Sequence, residues 1–247
     1  MSQPVIKLPI EIDVEDIITE DDEPKDDWFS EKQQRLLTEP LYSSWRPIDP
    51  ETHEPRKFIA AANVGLFPTR YQPPLVPDMF LSLDVEIHPD WYDKNHRTYF
   101  FWEFGKAPEA VVEVVSNRKG NEAGSKLRDY ARIKVDYYVI YDPTRQLSDE
   151  PLQVYERREG QYVGRPDATL PGVNLSLVLW DGVYEGVQDT WLRWADADGT
   201  IIPTGAEGQA REAERAARES ERAEREANRA ERLAAKLREL GIDPDAV

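Results

Sequence analysis

The chain contains no cysteine. That excludes disulfides and thiolate metal sites and fits a reducing cytosol. Its histidines, His53, His88 and His96, are scattered without ligand spacing, so zinc, which wants clustered nitrogen or sulfur ligands, is not expected. No apolar run approaches the ~18 residues of a membrane-spanning helix. The acidic N-terminus lacks the cationic-then-apolar pattern of a secretory signal. The expectation is a cytoplasmic protein with no membrane partner. Positive charge is also short: 31 Lys and Arg stand against 48 Asp and Glu, a formal net of −17. No part of the chain is a generic basic nucleic-acid binder.

What is present falls into regions. Residues 1–27 are acidic, with prolines and few aromatics, and read as a disordered leader. Residues 28–204 concentrate aromatic and β-branched side chains and read as one folded domain. Residues 205–240 are a run of Ala, Glu and Arg that reads as a long charged helix, followed by a tail over 241–247. Small or apolar positions recur from Ala206 through Ala213, Ala216, Ala223, Ala230 and Leu237 to Leu240 in steps of three and four. That spacing approximates a heptad. Two readings stay open: a solvated helix held by Glu–Arg pairs, and a weak coiled coil for self-association or a partner helix.

Within the body, Ser30–Leu41 reads as a helix capped by Ser30. Phe58–Phe67, Pro77–Ile87 and the aromatic Tyr99–Trp102 read as strands. Ala110–Ser116 is apolar on both faces, as a central strand covered by helices must be. A helix over roughly 122–135 and a strand at Tyr137–Tyr141, stopped by Asp142-Pro143, follow it. Strand, helix, strand implies a right-handed crossover in a mixed α/β sheet. Leu152–Val163 reads as a hairpin turning at Glu159-Gly160, and Val173–Trp180 as a closing strand.

One residue breaks the central strand's pattern. In AVVEVVS the acid is Glu113, and an ionised carboxylate there costs several kcal/mol unless it is paired or holds a metal. Asp78 stands directly before an alternating strand, and Lys126 lies on the edge of the next helix's apolar stripe, where its methylenes pack while its amine reaches the sheet rim. Two carboxylates and a lysine are what metal-assisted phosphodiester hydrolysis requires: Mg²⁺ takes hard oxygen ligands, and a nearby cation neutralises developing oxyanions. The rival reading of Glu113 and Lys126 is a structural salt bridge, and that of Asp78 a strand-start residue.

The ordered series PD at 77–78, VVEVVS at 111–116, K-x-x-x-Y at 126–130 and YYVIYDP at 137–143 resembles the Uma-type restriction-endonuclease family, a branch of the PD-(D/E)XK nucleases. The resemblance spans roughly Trp45–Trp194. It implies a restriction-endonuclease-like core, with a central mixed β-sheet flanked by helices. It also implies catalytic Asp78, Glu113 and Lys126, with Asp78 and Glu113 holding Mg²⁺ or Mn²⁺, and DNA as substrate. Val115 occupies the place where the superfamily usually carries its lysine, so Lys126 would be a migrated substitute. The family's helical acid is not visible, with Glu39 as a candidate; Glu122 and Tyr130 are further candidate site residues, and Arg118, Lys119 and Arg128 are the candidates for DNA contact. The alternative is an inactive nuclease fold acting as an interaction or oligomerisation module through its C-terminal helix.

Overall fold

A computed structural model describes residues 27–69, 71–116 and 122–239. The acidic leader before residue 27, Arg118, Lys119 and the tail from residue 240 lie outside the described residues. Helix α1 (Trp28–Ser44) is capped three positions earlier than its sequence suggests, by Asp27, whose Oδ1 accepts from the Ser30 N–H at 2.7 Å. Its buried face carries Leu36, Leu37 and Leu41.

The central sheet has six strands in the order β1-β3-β5-β6-β7-β8. They are β1 (Phe58–Ala61), β3 (Met79–Leu83), β5 (Ala110–Val114), β6 (Tyr137–Tyr141), β7 (Leu152–Arg158) and β8 (Gln161–Gly164). Only β5 and β6 run parallel. The link between them is a π-helical turn (Glu122–Lys126) running into helix α3 (Leu127–Arg132). A mixed sheet flanked by helices is the restriction-endonuclease-like architecture expected.

Both faces of this sheet are covered, which is why β3, β5 and β6 are buried at every position. On one face Met79, Leu81, Val112, Val139 and Tyr141 meet Leu37 and Leu41 of α1 and a three-stranded sheet, β11-β10-β9. That second sheet comprises β9 (Thr169–Leu170), β10 (Leu175–Tyr184) and β11 (Val187–Asp196). On the other face Phe80, Val111, Val115 and Tyr138 meet Tyr130 and Ile133 of the α3 segment.

Several boundaries differ from the sequence reading, each for a local reason. The expected strand 58–67 is two: after β1 the chain turns at Asn63 (φ 54°) before β2 (Leu66–Phe67). The strand through Ile87 ends at Leu83, where Asp84 takes φ 57°. Tyr99–Trp102 is strand only at β4 (Tyr99–Phe100), which pairs with β2. Its continuation coils into a single turn, α2 (Phe101–Phe104), closed by Gly105 in the left-handed region (φ 75°) that glycine enters without steric cost. The α3 segment stops before 135 because Lys134 turns left-handed (φ 69°). Strand β11 was not expected at all; it pairs with β10 across a Glu185-Gly186 turn whose residues both have positive φ (45° and 80°).

The last element, α4 (Gly205–Glu239), is one 35-residue helix. It starts in a reciprocal capping box: Thr204 Oγ1 accepts from the Glu207 N–H (3.1 Å), and Glu207 Oε2 accepts from the Thr204 N–H (2.8 Å). The buried guanidinium of Arg193 donates to both Glu207 oxygens at 2.9 and 2.6 Å. Beyond its first turns the helix is solvated and laced by i,i+4 pairs such as Arg215–Glu219 and Arg222–Glu226.

Burial raises the Glu207 carboxyl, but the hydrogen bonds from Arg193 and the Thr204 N–H outweigh it and leave the pKa below the ordinary glutamate value. A lowered folded pKa means stability present above the unfolded value and lost as pH falls. Glu207→Ala is expected to cost about 2 kcal/mol or more in urea denaturation at pH 7. It removes a cap and strands a buried cation. The deficit should shrink as pH falls below about 4.5, and amide exchange should show the first turn of α4 opening.

Candidate active site

Strand β5 continues its apolar alternation through Val111 and Val115 on the α3 side, and between them the same face carries Glu113, 1% exposed. Its carboxylate is satisfied from outside the sheet. Tyr130 of α3 donates its hydroxyl to Oε1 at 2.7 Å, and Lys126, ending the π turn, donates Nζ to Oε2 at 3.0 Å. Lys126 and Tyr130 are four residues apart, so they share one face of the helical segment.

Asp78 arrives from the neighbouring strand. Met79 lies opposite Val112 in the antiparallel β3–β5 register, so one step outward sets Asp78 opposite Glu113. There the ladder is interrupted, because the Pro77 carbonyl accepts from the Asn63 N–H instead (3.2 Å). The Asp78 side chain takes over: its Oδ2 accepts from the Val114 N–H at 2.6 Å. Its Oδ1 accepts from Gln34 Nε2 of α1 at 3.2 Å, and Gln34 Oε1 accepts from Asn63 Nδ2 at 3.0 Å. Gln34 and Asn63 were not among the residues singled out in the sequence. Gln34 is buried, where a polar group must be hydrogen-bonded, and no signal in the sequence marks it out.

The electrostatics follow from this crowding. Burial pushes the Glu113 carboxyl up, Lys126 draws it down, Asp78 pushes it up again, and the hydrogen bonds from Tyr130 and Lys126 favour the charged form; the result is a pKa raised to about 8. Burial, and then the charge of Glu113, raise the Tyr130 phenol far above its usual range, so this hydroxyl remains a donor.

The structure therefore brings Asp78, Glu113, Lys126 and Tyr130 into one cluster. Glu39 is elsewhere: it is exposed, and its Oε1 accepts from the Gly205 N–H at 2.9 Å where α4 begins. Glu122 opens the π turn, and Arg128 is exposed on α3. Val115 is buried among the aromatics of the α3 face, so a lysine reaches Glu113 from the helix rather than from the strand.

The donor set suits a hard divalent cation. Asp78 and Glu113 stand opposite one another in the β3–β5 register, close enough for the charge of Asp78 to raise the Glu113 carboxyl, and Mg²⁺ and Mn²⁺ accept one or two protein carboxylates while keeping waters. Among the described residues no group of three or more His, Cys, Asp or Glu is gathered to hold a metal, so such an ion would rest on this pair, with substrate and water completing its shell.

Residues 10–180, more than half of the chain, match the sequence model of the Uma2 family, described as "Putative restriction endonuclease". No curated protein matches the chain.

Glu113 gives a pH signature in the metal-free protein. Its folded pKa lies above its unfolded one, so its contribution to stability is complete below about pH 4.5 and is lost as pH rises through about 8. Glu113→Gln removes that loss. The unfolding free energy of the variant relative to wild type should climb across this window in chelator; a pH-independent difference would contradict the assignment.

Proposed function

The chain belongs to the Uma2 family, and from that premise and the facing of Asp78 and Glu113 we propose that it is a Mg²⁺- or Mn²⁺-dependent endonuclease hydrolysing phosphodiester bonds in DNA. The observation that carries this reading is the second carboxylate. A structural Lys126–Glu113 pair explains the 3.0 Å contact but gives no reason to place Asp78 where its charge raises Glu113 further. Like charges brought together at a buried site cost stability, which a proton on Glu113 relieves in the metal-free protein and a bound cation would relieve in its place.

The roles divide by position. Asp78 and Glu113 would hold the ion, which supplies an acidified water and polarises the scissile phosphate. Lys126, its side chain 31% exposed, reaches both Glu113 and the solvent side, where its charge can neutralise oxyanions on the phosphate and position the attacking water. Tyr130 fixes the Glu113 carboxylate in one orientation. Gln34 and the Val114 N–H do the same for Asp78, so both acids are held before substrate arrives. The net charge of −17 opposes DNA in general; Lys126 is the cation held on Glu113, and Arg128 is exposed two residues further along. Binding that depends on so few phosphate contacts has a shallow salt dependence.

A second reading concerns α4, which has no buried residue along its length. We read it as a separate interaction module for a second copy or a partner helix; light scattering on a chain truncated before residue 205 should show a lower mass of assembly than the full chain, and an unchanged mass would remove this reading.

Purified protein with Mg²⁺ or Mn²⁺ is expected to cut plasmid DNA, with cutting abolished by chelator, by Asp78→Ala and by Glu113→Ala. Lys126→Ala should slow it roughly 10²- to 10³-fold. Equal cutting by wild type and both acid variants would refute the reading. Gln34→Ala, which acts on the metal only through Asp78, should raise the Mg²⁺ concentration needed for half-maximal cutting about tenfold or more, leaving the rate at saturating Mg²⁺ closer to wild type.

A further inference from the structure

The α3 face of the central sheet is only partly covered by the α3 segment. Over β5 and β6 the cover is Tyr130, whose ring is tilted against Tyr138 at 5.1 Å. Over β1 and β3 the cover is Tyr99 and Phe104, which together with Ile59, Ala61 and Phe80 line a cleft of about 270 Å³. Its walls are the loop between β3 and β4, which brings Trp91 and Tyr92, and the turn of α2, which brings Phe104. Trp91 is 54% and Tyr92 80% exposed, although both are large aromatic rings that gain by burial. Nothing in the fold hides them.

Strand β3 links the cleft to the candidate active site. Phe80, in the cleft lining, lies two residues from Asp78, which directly precedes β3, a separation of about 7 Å along an extended chain. Ala61 and Val64, also in the lining, lie on either side of Asn63 in the sequence, and Asn63 through Gln34 holds Asp78. The lining is mostly apolar, aromatic at Phe80, Trp91, Tyr92, Tyr99 and Phe104, with Arg97 and Thr98 among its polar groups. Arg97 donates to the Tyr92 carbonyl at 2.8 Å, which ties the two loop residues together and leaves further guanidinium N–H groups at the mouth. An aliphatic or lipid ligand would not require a cation there, and a phosphate would not require the rings. A flat, apolar ring system with acceptor edges fits both.

Resting on the nuclease reading above, we propose that this cleft is a nucleobase pocket, which takes one unpaired base of the DNA strand whose phosphate lies at Asp78 and Glu113. The Trp91 and Tyr92 rings stand at 81° to each other, so one stacks on the face of the base and the other packs against its edge, and Arg97 meets an acceptor on that edge. A base adjacent to the scissile phosphate, held out of its stack, would orient the strand for hydrolysis.

The test uses the full chain in Ca²⁺ or chelator, so that binding is read without cutting, with a single-stranded oligonucleotide and a duplex, each carrying 5-iodouracil. Photocrosslinks should map to Trp91 or Tyr92. Crosslinking of the single strand alone would mean that the base enters already unpaired; crosslinking of both, that the protein extrudes it. Either supports the pocket. Trp91→Ala and Tyr92→Ala, both at exposed positions and so compatible with folding, should each weaken single-strand binding roughly tenfold. Crosslinks confined to other residues, unchanged affinity in both variants, or no binding of either oligonucleotide would overturn it. Failure of wild-type protein to cut plasmid with Mg²⁺, with the crosslinks intact, would instead overturn the nuclease reading and leave the base pocket standing.

Discussion

Glu113 must be compensated from outside its own sheet, and much of the surrounding structure answers to that constraint. The residues on either side of it in β5 are apolar and buried, so no neighbour in the strand can pair with it. Its donors come from the crossover segment, whose Lys126 and Tyr130 point back onto the strand end. The parallel pairing of β5 with β6 makes this feasible, since only a parallel link sends the chain over the face of the sheet on its way to the next strand. Without these donors a buried carboxylate would be worth several kcal/mol against the fold. With them it is held in one orientation at the end of the strand, with a pKa raised to about 8, far from that of a solvated acid.

Asp78 is held by a different logic. It does with its side chain what the β3 backbone no longer does, by accepting from Val114 once Pro77 has turned its carbonyl to Asn63. One carboxylate is thus organised by a helix-borne cation and phenol, the other by a backbone amide and a helix-borne carboxamide. Two acids in such different settings, opposite one another in the β3–β5 register, are suited to unequal parts in binding a cation and its water. Strand β3 runs from the residue after Asp78 into the lining of the aromatic cleft, where Phe80 lies.

The central architecture was legible because burial on both faces writes itself into β5 and β6 as unbroken apolar runs, and because one acid among those runs is conspicuous. Lys126 and Tyr130 were legible from helical spacing and from the resemblance. Gln34 was not: a neutral amide in Gln33-Gln34-Arg35 carries no charge pattern, and only the three-dimensional path of α1 over the end of β3 reveals it. Glu39, chosen as an acid on that same helix, caps α4 instead, since five residues along a helix from Gln34 place it some 140° round the axis. Strand β11 was hidden by a polar first half, Val187–Thr190, which pairs with β10 in a solvent-exposed ribbon. The break at Phe101 was hidden by aromatic propensity, which favours strand until Gly105 closes a turn.

Helix α4 has a consequence for anyone handling the protein. At 35 residues it is a rod of about 52 Å, longer than the folded body's ~16 Å expected radius of gyration for some 180 residues. Such an appendage raises friction far more than mass. A single chain should therefore migrate early in gel filtration and sediment slowly, and elution volume alone would register a monomer as a larger particle.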